Sequence, residues 1–134
     1  MCSSDLLLPQ FAKSEPLRMV ADRIGTPTWA NGLARAIWRA EAVRLSGLHH
    51  WSDAGVASWY DLAVALQEEA NAAGLIASQR PVQPILGAEY PTPAPRPQYS
   101  VLEKSQTWAA LGMSAEHWRV ALRSMLRDLL ASGR

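Results

Sequence analysis

Arg96 stands between Pro95 and Pro97 in the stretch EYPTPAPRPQYSVL, residues 89–102, where Pro91, Pro93, Pro95 and Pro97 fill four of seven positions. Proline fixes its own φ and removes a backbone donor, so the arginine has lost freedom before any ligand arrives and costs less to order on binding. A guanidinium held this way suits a phosphate or diphosphate, which it meets with paired N–H donors. Two other readings account for the same residues: a stiff surface connection whose arginine is merely solvated, and a polyproline ligand for an aromatic-lined groove. The residues alone leave the three open.

Other chemistry-bearing groups point to blander roles. His49 and His50 are adjacent, and adjacent strand residues face opposite sides, so they cannot chelate one ion; one buried and one exposed imidazole is the expectation. His117 has no cysteine or acidic neighbour at ligand spacing, and no metal site is expected. Glu68 and Glu69 diverge by about 100° on a helix, which suits a solvated face and not a catalytic acid pair. Arg119, Arg123 and Arg127 recur every fourth residue, as an anion-binding stripe would, but the wet side of a helix is the favoured reading. The scattered glycines offer no phosphate-cradling turn for a dinucleotide. Nor does a lysine follow any tyrosine at the fourth position: Val64, Ala94 and Glu103 stand there after Tyr60, Tyr90 and Tyr99.

These residues must be positioned by short elements. Residues 6–14 read as a short helix closed by Pro16, and LRMV, residues 17–20, as a strand. Gly25 and Pro27 mark a turn, Thr28 reads as the cap of a helix, and Trp29, Leu33 and Ile37 predict its buried face. GLHHWS, residues 47–52, reads as a brief buried strand. Ser58 with Asp61 makes a capping box opening a helix that Gly74 stops, with Trp59, Leu62, Ala63, Leu66 and Ala70 inside and Gln67 and Glu68 outside. VQPIL, residues 82–86, is an edge strand because of Pro84. Residues 103–112 form a short helix ended by Gly112, and Ser114 is expected to cap a last helix reaching about Leu130, with Trp118, Ala121, Leu122, Met125, Leu126 and Leu129 on its apolar side. The class is α/β or α+β, helices with a few short strands, too few for a doubly wound sheet.

The 134 residues suit one domain, and 49% hydrophobic residues give it a core. Cys2 is the only cysteine, which excludes an intrachain disulfide and suits a reducing compartment, the cytoplasm by default. Leu6 to Leu8 is far short of a membrane span or signal-peptide core. A net charge of +1 gives no field that argues for nucleic acid.

Three blocks, DRIGTPTWANGLARAIW, GLHHWSDAGVASWYDLAVALQEEA and AEYPTPAPRPQYSVLEKSQTWAALG, resemble in order and spacing the C-terminal part of the dTDP-4-dehydrorhamnose reductases, over about residues 7–130. The resemblance implies the substrate-binding subdomain of an extended short-chain dehydrogenase, residues 7–134, with the Rossmann domain absent. The parent enzymes reduce dTDP-4-dehydro-β-L-rhamnose to dTDP-L-rhamnose with NADPH or NADH. Their cofactor seat and catalytic tyrosine and lysine belong to the N-terminal part, so this chain is expected to hold a dTDP-sugar and to be inactive alone. The missing Rossmann domain is the implied partner, with homodimerisation in the intact enzyme. The alternative is a non-catalytic sugar-nucleotide binder or an interaction module built on the proline loop.

Carried over by motif, Arg96 faces the diphosphate, and Tyr90, Pro91, Thr92 and Pro93 shape the loop beside it. Asp22, Gly25, Pro27 and Thr28 match the family's D-Q-x-G-x-P-T turn near the substrate cleft. Two residues depart from the pattern: Arg23 stands where the family has glutamine, and Pro95 where a first arginine precedes the second. MCSSDL, residues 1–6, matches nothing in the family and equals the translation of a common short-read library adapter, so a non-native start is expected there.

Overall fold

The computed structural model describes residues 8–12 and 15–132. The expected non-native start at residues 1–6, and parts of the helix expected over 6–14, lie outside them; a short 3-10 turn covers Leu8–Ala12.

LRMV forms β1, Leu17–Val20, and VQPI forms β4, Val82–Ile85. The two pair in parallel, Leu17 opposite Val82 and Val20 opposite Ile85, and Leu17 N–H to Pro81 O at 3.0 Å and Ala21 N–H to Ile85 O at 2.9 Å lengthen the ladder. A parallel pair needs a long crossover. Here the chain between supplies α1, Ala30–Ala42, and α2, Trp59–Ala72. Pro84 sits in β4 without penalty because each strand of a two-stranded sheet has a free edge. A second small ladder joins β2, Ile24–Gly25, to β3, Ala57–Ser58, antiparallel. Gly25 is therefore a strand residue and not the turn residue expected.

The capping box holds: Ser58 Oγ accepts Asp61 N–H at 3.1 Å, and Asp61 Oδ2 accepts Ser58 N–H at 2.8 Å. Such a cap is worth about 1 kcal/mol. Gly74 ends α2 with a positive φ of 75°. Leu66 and Ala70 of α2 pack with Trp118, Leu122 and Leu126 of α4, Trp118–Ala131, and with Phe11 and Ala57 in the main core. Burying each leucine is worth about 1.5–3 kcal/mol. The short α3, Ser105–Leu111, ends at Gly112 in the left-handed region, as expected.

Several expectations are corrected. Thr28 does not cap α1; Trp29 occupies the cap position, and its N–H is taken by Asp53. Leu33, Ile37 and Trp38 of α1 are exposed, the tryptophan by 76%, and only Ala36 is buried, because the helix turns its small residues inward. GLHHWS is no buried strand: Leu48, His49 and His50 are all exposed, and His50 N–H bonds the Thr107 hydroxyl in place of a ladder partner. On α2, Trp59 is exposed and Gln67 is buried. The Gln67 carboxamide donates to Arg80 O and accepts Arg80 N–H, both at 2.9 Å, which satisfies a buried amide far better than solvent contact on one side would. Ser114 does not cap α4. Ala54 N–H to Glu116 O at 2.8 Å and Trp118 N–H to Ala54 O at 2.9 Å hold the chain extended through residue 117, so the helix starts later, with the His117 ring accepting Arg119 N–H.

Candidate functional site

Because β1 and β4 run parallel, both deliver their carboxyl ends to the same end of the sheet. β1 leads into Asp22 and Arg23, and β4 leads into Leu86 and Gly87. Ligands of open α/β sheets gather at such carboxyl ends. Here Asp22 Oδ1 accepts Gly87 N–H at 2.8 Å and ties the two exits together. A 3-10 turn, Gly87–Glu89, follows and opens the proline-rich loop, its Glu89 paired with Arg18 of β1.

The far end of that loop returns to β2. Ile24 N–H donates to Gln98 O at 2.7 Å and Ser100 N–H to Ile24 O at 2.9 Å, so residues 98–100 run beside Ile24. Arg23 Nη1 donates to Arg96 O at 2.7 Å. The fold thus sets Arg23 against the Arg96 carbonyl, and so joins two segments that are 73 residues apart. Within the loop Thr92 Oγ1 donates to Ala94 O at 2.9 Å, a turn that closes on itself. Tyr90 is 59% exposed, Pro91, Pro93 and Arg96 are exposed, and the Arg96 side chain has no carboxylate partner among the described residues.

Thr28 joins a polar cluster that spacing did not reveal. Thr28 Oγ1 donates to Thr26 O and accepts Asp53 N–H, Asp53 Oδ2 accepts Trp29 N–H at 3.0 Å, and Lys104 Nζ donates to Ser52 Oγ at 2.8 Å and to Asp53 O. Ser52 and Asp53 are buried, and Lys104 also lies 5.4 Å from the Trp108 ring centroid. Burial pushes the Asp53 carboxyl above the ordinary aspartate value, with the Trp29 N–H and Lys104 pulling against it. Burial likewise pushes the Lys104 ammonium below the ordinary lysine value, opposed by Asp53 and Glu103. Asp53 and Lys104 are 51 residues apart, and nothing in their spacing signals the pair. Thr28 is thereby a structural residue of the α1 start.

Arg119 and Arg123 are not an empty cationic stripe. They pair with Glu69 at 3.0 and 2.8 Å, and Arg119 also bonds Glu68, which docks α4 on α2. The Arg123 guanidinium first and Arg119 second hold the Glu69 carboxyl below the ordinary glutamate value.

The architecture defines a small mixed α/β domain that presents a stiff, cation-bearing loop at the carboxyl end of a parallel strand pair. The chain belongs to the family of the RmlD substrate binding domain, whose sequence model matches residues 5–131. It is 37% identical over 124 residues to the spore coat polysaccharide biosynthesis protein SpsK of Bacillus subtilis, covering 92% of this chain and 41% of that protein. It is 35% identical over 129 residues to the dTDP-4-dehydrorhamnose reductase of Burkholderia thailandensis, covering 87% and 43%. The crystal structure of a dTDP-4-dehydrorhamnose reductase from Bacillus anthracis in complex with NADP superposes with a TM-score of 0.81 at 25% identity, covering 93% of this chain and 42% of that one. The chain thus spans about two fifths of the length of these relatives.

Proposed function

We propose that this chain is the sugar-nucleotide-gripping part of a cytoplasmic reductase that converts dTDP-4-dehydro-β-L-rhamnose to dTDP-L-rhamnose with NADPH. The observation that carries this reading is Arg96: an exposed guanidinium without a carboxylate partner among the described residues, on a proline-stiffened loop fastened to β2 beside Asp22. Held there, it offers paired N–H donors to one phosphoryl group of a dTDP-sugar. The loop sets the sugar's position; it does no proton or hydride chemistry.

Hydride transfer needs the part of the relatives that this chain does not span, because the glycines here form no cradle for a nicotinamide dinucleotide and no tyrosine is paired with a lysine four residues on. The exposed Ile37 and Trp38 on α1 fit a face that further polypeptide covers.

Calorimetry of the 134-residue chain with dTDP tests the reading. Saturable binding that Arg96→Ala weakens about tenfold, the worth of one charge-assisted contact, supports it. Absence of binding at millimolar dTDP, or NADPH oxidation by the isolated chain, sinks it.

A further inference from the structure

Arg23 occupies an unusual place for a surface arginine. Among the described residues Arg35, Arg39, Arg44 and Arg127 also pair with no carboxylate, but all four are exposed, whereas Arg23 is half-buried and fixed on two sides. On one side its Nη1 donates to Arg96 O at 2.7 Å. On the other its guanidinium lies against the backbone of Gly87, so closely that a methyl group on that residue would fall 2.8 Å from Nη2 and 2.9 Å from Cζ. Glycine is what allows this approach.

A guanidinium has five N–H donors and no acceptor. One donor of Arg23 is accounted for by Arg96 O, and among the described residues no carboxylate pairs with it. Around it, the nearby Arg18 and Glu89 neutralise each other, and the Asp22 carboxylate is engaged by Gly87 N–H. What remains is two arginines against one aspartate, at the carboxyl ends of the parallel strands. A half-buried, fixed cation bonded to the backbone of a second arginine on a rigid loop suits an anion with more than one charged centre.

We propose that Arg23 is a second phosphate-contacting residue, so that the site grips a diphosphate through Arg23 and Arg96 together and prefers it to a monophosphate. This rests on the reading of Arg96 as the phosphate-facing cation. Arg23 also positions the loop through the Arg96 carbonyl, and the experiment separates the two roles.

The full chain is titrated with dTDP and with dTMP, at low and at high salt, as wild type, Arg23→Gln, Arg23→Lys and Arg96→Ala, with a thermal melt of each. Arg23→Gln is expected to lose roughly tenfold in dTDP affinity and far less for dTMP, as removal of one charged hydrogen-bonding contact requires. The loss shrinks at high salt, and lysine restores part of it. Two results overturn the proposal while leaving Arg96 in place: dTDP binding in Arg23→Gln equal to wild type while Arg96→Ala is impaired, or an equal, salt-independent loss for both nucleotides, which marks a loop-positioning role only. If the wild-type chain binds no dTDP, the reading of Arg96 falls first and this one with it.

Discussion

The Asp53 carboxylate accepts the Trp29 N–H at 3.0 Å and ties the residue that precedes α1 to a position 24 residues away. In a capping box the carboxylate at the third helical position takes the N–H of the cap residue; here the buried Asp53 plays that half, while tryptophan offers no acceptor for the other. Replacing Asp53 with alanine orphans the Trp29 N–H and is expected to cost about 1–3 kcal/mol, and Asp53→Asn less because an amide oxygen can still accept. Urea unfolding of the two variants checks the order. Since burial raises the Asp53 pKa, the folded state holds its proton more tightly than the unfolded chain. Stability from this group therefore falls as pH rises from the ordinary value of 3.8 through the folded value.

Glu69 gives the opposite pH response. Its carboxyl is held below the ordinary value of 4.5 by Arg123 and Arg119, so its contribution is present in full above that value and is lost as pH falls through the folded pKa. Glu69→Gln should lower the urea midpoint at neutral pH and converge on wild type in acid. The gap should also narrow in about 1 M salt, where screening acts over only about 3 Å. A gap independent of both pH and salt would assign the effect of Glu69 to packing.

Gln67 shows what a buried amide is worth. Its carboxamide bonds both the N–H and the carbonyl of buried Arg80 at 2.9 Å, and among the described residues no other hydrogen bond serves those two backbone groups. Gln67→Leu keeps the volume and orphans both, at an expected cost of about 2–3 kcal/mol. Gln67→Glu retains the acceptor for Arg80 N–H but sets a carboxylate against Arg80 O, so its unfolding midpoint should recover at acidic pH. Chemical denaturation across pH distinguishes the two variants.

What the sequence made legible follows the range of the interactions involved. The capping box of Ser58 and Asp61, the stops at Gly74 and Gly112, and the strands LRMV and VQPI are set by neighbours within a few residues, and all were readable. Thr28 and Ser114 carry the same local signal as Ser58. They do not cap because the Thr28 hydroxyl is engaged by Thr26 O and Asp53 N–H and the Ala54 to His117 bridge delays α4. The pattern Trp29, Leu33, Ile37 marked an apolar stripe on α1, but a stripe does not say what covers it, and the helix packs by Ala36. In the candidate site, the Asp22 turn and the proline loop were each visible as motifs. Their meeting depends on the parallel register of β1 and β4, which no local pattern encodes. Arg23, visible only as a departure from a family motif, takes its meaning from contacts with Gly87 and Arg96.

Gly87 offers a way to move the Arg23 guanidinium without touching its charge. A Cβ at this position would stand 2.8 Å from Nη2 and 2.9 Å from Cζ, inside contact distance, while the residue's φ needs no left-handed conformation. Gly87→Ala should therefore leave the backbone and the Asp22 bond to its N–H in place and push the arginine side chain off its seat. Stability should change by less than about 1 kcal/mol, since no core contact is lost. Affinity for dTDP should fall as it does in Arg23→Gln, and the double variant should be no worse than either single one, because both remove the same contact. Additive losses in the double variant would mean that Gly87 acts on binding by a route other than Arg23. Titration of the three proteins with dTDP, alongside their melting curves, decides between these outcomes.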